Sequence, residues 1–337
     1  MPRRSARALA LVMSVLALAG CGTTGAPATT ALSSTAPPTT AAPPSASAAP
    51  SASPIQSHAA ALPGRIAFGR YDASIDDFQV FTMLADGSDV RPLLPGPHEG
   101  PSWSPDGTMI SVTSFEDGNF LKILRPDGSL VRDLALPDPT IGLGCDAWSP
   151  DGTRFTCEGW DDSHPDRIGL YSVRASDGGD LRRLTSPADG NHDLSPTYSP
   201  DGTRIAFAHV TDTQREKGRL WIMNVDGTEA HQASDVEIGW TVRWSPDGNR
   251  ILADAEGSLV TFDASDLSLA PKRVTDLNQI AFGGSWSPDG SRIVYSMIAM
   301  GHQVPDIATV FADGTDPWVL TTDPAKEELA AWGLPTP

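Results

Sequence analysis

Trp103-Ser104-Pro105-Asp106-Gly107 decides the fold, because the chain repeats it. It returns as Trp148 to Gly152, as Tyr198 to Gly202 with Tyr in place of Trp, as Trp244 to Gly248 and as Trp286 to Gly290. An eroded sixth copy, Ala331-Trp332-Gly333-Leu334-Pro335, lies near the C-terminus. Successive aromatic positions are 45, 50, 46, 42 and 46 residues apart, a period that belongs to blades or stacked units.

Each copy reads as a hairpin turn. Pro presets φ for the first turn position, Asp bonds to nearby backbone N–H groups, and Gly takes the positive φ that the tight turn requires. Behind each turn comes a short alternating run, such as Met109-Ile110-Ser111-Val112, Arg204-Ile205-Ala206-Phe207 or Arg292-Ile293-Val294-Tyr295, which reads as a strand with one face buried. A third strand follows (Gln79 to Met83, Phe120 to Ile123, Ile168 to Val173, Leu220 to Met223, Leu259 to Phe262, Ile307 to Phe311). A second Asp-Gly turn, at Asp86, Asp127, Asp177, Asp226 and Asp313, then leads towards a fourth strand. Four strands per period of about 45 residues make a propeller blade. The fold class expected is therefore all-β: a six-bladed β-propeller of four-stranded antiparallel blades. Gly64 to Phe68 looks like a second strand with no first strand before it, and Ala330 to Gly333 looks like a first strand with no second. Pairing the two closes the ring and leaves no open edge at the joint.

These residues resemble the six-bladed TolB-like propellers built of WD40-like PD40 repeats, over about residues 63 to 337. The resemblance implies the fold and protein–protein interaction at the cell envelope, without fixing an activity, since one propeller hosts many functions.

Three segments divide the chain. Residues 1–21 read as a lipoprotein signal peptide: Arg3, Arg4 and Arg7 precede an apolar run from Ala8 to Ala19, too short to span a bilayer. Leu18-Ala19-Gly20-Cys21 resembles a bacterial lipobox, which implies cleavage before Cys21 and lipidation of its sulfur. Residues 22–62 hold no Asp, Glu, Lys or Arg and are mainly Thr, Ala, Pro and Ser; such a segment buries too little surface to offset its ordering entropy and reads as a disordered linker. If extended at about 3.1 Å per residue, it reaches on the order of 120 Å. Residues 63–337 hold one propeller. The expected location is the cell envelope, with the protein exported and held by lipid on the outer face of the cytoplasmic membrane.

The formal charge is -18, and loss of Arg3, Arg4 and Arg7 with the signal peptide brings it to -21. Such a surface repels nucleic acid and anionic lipid. No nucleotide phosphate loop, zinc signature or dinucleotide fingerprint occurs, and Gly283-Gly284-Ser285-Trp286-Ser287 falls short of a nucleophile elbow. The repeated Asp106, Asp151, Asp201, Asp247 and Asp289 are turn residues rather than metal ligands or general acids. Cys145 and Cys157 flank one turn on paired strands, where they form either a disulfide or two small buried thiols.

The Ser-Pro-Asp-Gly turns and the later Asp-Gly turns share one rim and are alike. The remaining connections share the other rim and vary, and variable loops on a repeating scaffold are where binding is carried. Residues four to six places ahead of each motif aromatic should then ring the channel mouth on the variable rim: His98, Glu99, His192, Asp193, Trp240, Phe282, Glu327 and Glu328, with Asp146 and Glu237 close by. Carboxylates, His and aromatics around one opening suit a cationic or sugar-like group or a metal ion. The plainer reading is that they are solvated residues with no ligand.

Two functions fit. In the first, a monomeric, non-enzymatic envelope lipoprotein binds a protein, peptide or glycan. In the second, the propeller is a lyase or hydrolase with a His/carboxylate or metal-assisted site at the mouth. No resident cofactor is expected, with a divalent cation in the channel as the one exception left open. An enzyme requires acid and base groups within hydrogen-bond reach of one another, whereas a binder requires an exposed surface.

Overall fold

The computed structural model describes residues 62–334 except 115–119, 136–137, 162, 189 and 214–216, and among strand residues the side chains of Phe120, Asp146 and Asp212 are likewise outside the description. The signal peptide, Cys21 and nearly all of the linker lie outside these residues.

Six four-stranded antiparallel sheets form the fold. From the centre outwards, the first blade comprises Glu327–Gly333, Arg65–Asp72, Asp77–Leu84 and Arg91–Leu94. The second comprises His98–Trp103, Ile110–Ser114, Phe120–Leu124 and Leu130–Ala135. Blades three to six begin at the centre with Gly142–Trp148, His192–Tyr198, Val242–Trp244 and Gln279–Trp286. Each innermost strand touches the next around the axis, and the last returns to the first. The ring closes as the ends of the repeat pattern require. Arg65, Ile66, Ala67, Gly69 and Arg70 pair with Gly333, Trp332, Ala331, Glu328 and Glu327, so the joint is longer than the Ala330 to Gly333 stretch expected from sequence.

The turns behave as their residues dictate. Asp106 Oδ1 accepts bonds from Ser104 Oγ at 2.6 Å and Thr108 N at 3.0 Å, and Gly107 stands at φ 69°. The same bonds recur at Asp151, Asp201, Asp247 and Asp289. They hold these carboxyls below their ordinary range, that of Asp201 at about 2, because each ionised form accepts several donors.

The second strands differ from expectation. Ile110–Ser114 is buried throughout and Arg292–Ala299 over its first six residues, because a blade inside the ring is covered on both faces by its neighbours. Sequence alternation had suggested one buried face. Trp indoles cross these seams. Trp103 donates to Ala331 O at 3.2 Å, Trp148 to Ser102 O at 3.3 Å and Trp286 to Arg243 O at 3.2 Å. Each acceptor immediately precedes the motif aromatic of the previous blade. Trp332 donates to Pro63 O at 3.0 Å, fastening the start of the propeller.

Cys145 pairs with Cys157 across the first two strands of the third blade, Cα–Cα 4.0 Å, and the two form a disulfide. Two outer edges are short and cationic, Arg182–Arg183 and Lys272–Arg273, which discourages strand addition there.

Candidate functional site

A bulge interrupts innermost strands just ahead of the motif aromatic, between Glu99 and Ser102, Cys145 and Ala147, Leu194 and Thr197, and Phe282 and Ser285. Three places before the aromatic, Gly100, Ser195, Gly283 and Leu329 hold φ between 51° and 63°. The extra residue bends the strand away from the regular ladder and leaves backbone groups needing partners. A side chain of the neighbouring blade supplies one at two of these bulges. Glu158 Oε1 accepts Ser195 N at 2.6 Å, and Thr241 Oγ1 accepts Gly283 N at 3.0 Å. Thr241 N in turn donates to Asp254 Oδ1 at 2.7 Å.

Below the bulges lies an axial cavity of about 250 Å³, with Ser102, Ser195, Thr197, Thr241 and Ser285 among its walls. Of the expected mouth residues whose side chains are described, only Trp240 lines it. Phe282 stands beside Trp240 with ring centroids 6.1 Å apart, and both rings are partly exposed. Together they present an apolar wall at the opening.

The charged residues do not form the open acidic ring expected. Glu327 is fully buried in the seam and accepts from Arg70 Nε at 2.7 Å. Glu328 is 5% exposed and lies 2.7 Å from Lys326 Nζ. Asp193 is buried against His209 Nδ1 at 2.6 Å. His98 is buried, with Nε2 3.0 Å from Pro95 O. Glu237 stands on the outermost strand of the fourth blade, 4.0 Å from Arg219, and is not part of the mouth. His192 is half-buried, and burial lowers its pKa despite the adjacent Asp193. Asp146 lies on the innermost strand of the third blade, its side chain outside the description. The physical reason is common to most of them. Successive strand residues point to opposite faces, and inside a propeller both faces are seams, so a side chain near the rim turns between blades unless the bulge aims it at the axis.

Glu99 differs from the others. Its Oε1 is buried with no hydrogen-bond partner among the described residues, and the side chain is partly exposed. Burial first, then the charges of Asp77 and Glu328, push its pKa up to about 7, with Lys326 opposing. Burial also raises Glu328, Glu327, Asp306 and Asp254.

Glu158 and Asp254 were missed by reasoning that looked only at innermost strands. Both stand four residues after the Arg that opens a second strand (Arg154 and Arg250), and an acid at the same offset in two apolar runs was the available signal. Among the described residues, no three His, Cys, Asp or Glu are gathered to hold a metal ion.

Fold and mouth together define a class: a six-bladed propeller with a repetitive rim, a variable rim and an axial cavity opening beside an aromatic pair. The chain belongs to the PD40 family, the TolB beta propeller domain, whose model matches residues 55–335. It is 31% identical over 209 residues to the uncharacterized protein Atu1656 of Agrobacterium fabrum, covering 57% of this chain and 67% of that one. It is also 31% identical over 180 residues to the Tol-Pal system protein TolB of Anaeromyxobacter sp. strain K. That match covers 48% of this chain and only 40% of the TolB. Among solved structures, TolB from Acinetobacter baumannii aligns with TM-score 0.64 at 17% identity, covering 80% of this chain and 66% of that one, a likeness of fold.

Proposed function

We propose that this protein is a non-enzymatic binding module of the cell envelope that engages a protein, peptide or glycan with its variable rim. It acts as a monomer, held by lipid at Cys21 to the outer face of the cytoplasmic membrane, with residues 22–62 as a tether. The observation that carries the reading is the Trp240–Phe282 pair, partly exposed beside the axial cavity. Aromatic rings free on one side are what protein and sugar binders offer a ligand. Glu99 adds a poorly satisfied carboxyl on the same rim, suited to a cationic group. The TolB relative, a Tol-Pal system protein by name, supports an envelope setting.

The test is capture of a partner from envelope extract by the intact propeller, then titration calorimetry with the purified partner. Replacing Trp240 and Phe282 together by Ala is expected to weaken binding at least tenfold with the fold retained by circular dichroism. Unchanged affinity places the binding face elsewhere.

A further inference from the structure

The most exposed large apolar side chains of the described residues are Met300, 78% exposed, and Leu277, 67% exposed. They belong to different connections of the variable rim, 300–305 and 274–278, yet the register brings them together. Gln279 pairs with Ala299 and Ile280 with Ile298. Leu277 stands two residues before the first pair and Met300 one residue after it, so both sit at one tip of the sixth blade. Ile280 and Ile298 are half-buried just below them. Phe282 follows on the same strand and meets Trp240 at the mouth. An apolar strip therefore runs from the outer rim of this blade to the axial cavity.

The strip has acidic surroundings. Asp276 adjoins Leu277 and is exposed, Asp323 is partly exposed on the same rim, and Glu99 borders the mouth. Of the basic residues around the strip, Arg70 is paired with Glu327 and Asp323, Lys326 with Glu328 and Arg273 with Glu256, and His302 is exposed two residues after Met300. The complement is apolar side chains interspersed with Lys or Arg, since charge matching sets which partner is accepted and apolar anchors supply the affinity. An anionic lipid surface is disfavoured by the same charges.

We propose that the tip of the sixth blade, Leu277 and Met300 with the Trp240–Phe282 pair, is the docking surface for an apolar, basic peptide segment of a partner protein. This rests on the variable rim being the binding face and names its sector and the chemistry of its occupant.

The probes are three fluorescent decapeptides, alternating Leu-Lys, Leu-Glu and Ser-Lys, with phosphatidylcholine vesicles as a fourth arm, measured by anisotropy and co-sedimentation. The parent propeller is expected to bind Leu-Lys at least tenfold more tightly than the other two. Leu277→Asp with Met300→Asp, at positions too exposed to disturb folding, is expected to weaken Leu-Lys binding tenfold or more. Leu269→Asp, on the opposite rim and 54% exposed in the parent, is expected to leave it unchanged. The inference is overturned if no peptide binds, if Leu-Glu or Ser-Lys binds equally well, if the double variant binds as the parent does, or if vesicles bind through the same two residues. Loss of binding in Trp240→Ala/Phe282→Ala but not in Leu277→Asp/Met300→Asp sinks the sector and leaves the mouth standing. Loss only in Leu269→Asp sinks both.

Discussion

Arg70 and Glu327, 257 residues apart, join the two ends of the propeller: Nη2 of the guanidinium lies 2.6 Å from Oε1 of the fully buried carboxylate. Arg70 also lies over the Phe81 ring at 4.6 Å and within 3.4 Å of Asp323. The pair belongs to the one joint of the ring that no covalent link supports.

Breaking this pair should loosen the joint. Arg70→Ala leaves Glu327 buried without its cation, which costs about 3–5 kcal/mol. Deleting 327–334 removes the whole strand and exposes the Arg65–Asp72 edge. Urea unfolding should show a large loss of stability for Arg70→Ala and a larger one for the deletion. An unchanged midpoint in either would mean that closure does not hold the ring.

Stability should fall on both sides of a mildly acidic optimum. The folded state raises Glu99 from 4.5 to about 7, so it holds a proton that the unfolded chain has released. The associated stability is complete below about pH 4.5 and is lost as pH rises through 7. Burial moves Glu327, Glu328 and Asp306 the same way. The turn aspartates are lowered, Asp201 from 3.8 to about 2, and their contribution is lost as pH falls below about 4. Glu99→Gln should equal the parent near pH 4.5 and exceed it at pH 8. With partial exposure screening the effect, the gain is about 1–2 kcal/mol. Chemical denaturation at the two pH values decides it, and a variant no more stable at pH 8 contradicts the assignment.

The Cys145–Cys157 bond closes a short loop, the residues being 12 apart. Cys145→Ser with Cys157→Ser should cost about 2–3 kcal/mol through the unfolded chain's regained freedom. Thiol reductant in the unfolded state should lower the parent's refolding midpoint by a like amount and leave the double variant unaffected. Equal midpoints with and without reductant would argue against a stabilising bond.

Anchoring is tested by fractionation. Cys21→Ser should move the protein from the membrane pellet to the medium, and full retention in the pellet rules out lipid attachment at that residue.

Repeating local chemistry made the fold legible from sequence. A Ser-Pro-Asp-Gly turn forms wherever those residues fall together, since its bonds span five positions. The spacing of the copies supplied the blades, and the incomplete first and last copies supplied the closure. The Cys145–Cys157 pairing was within reach for the same reason, a hairpin register set by its own turn. Tertiary structure alone decided which side chains face a seam and which face the axis, because that depends on how adjacent blades are rotated and where the bulges fall. It turned Glu327, Glu328 and Asp193 into buried ion-pair partners within their own blades and moved Glu237 to an outer strand. It also brought Glu158 onto the bulge N–H of Ser195 and Asp254 onto the N–H of Thr241, and set Leu277 and Met300, 23 positions apart in the chain, at one tip of the sixth blade. Turn chemistry acts within a few residues of sequence, whereas burial and charge balance at the rim are set by neighbours that the sequence places on another blade.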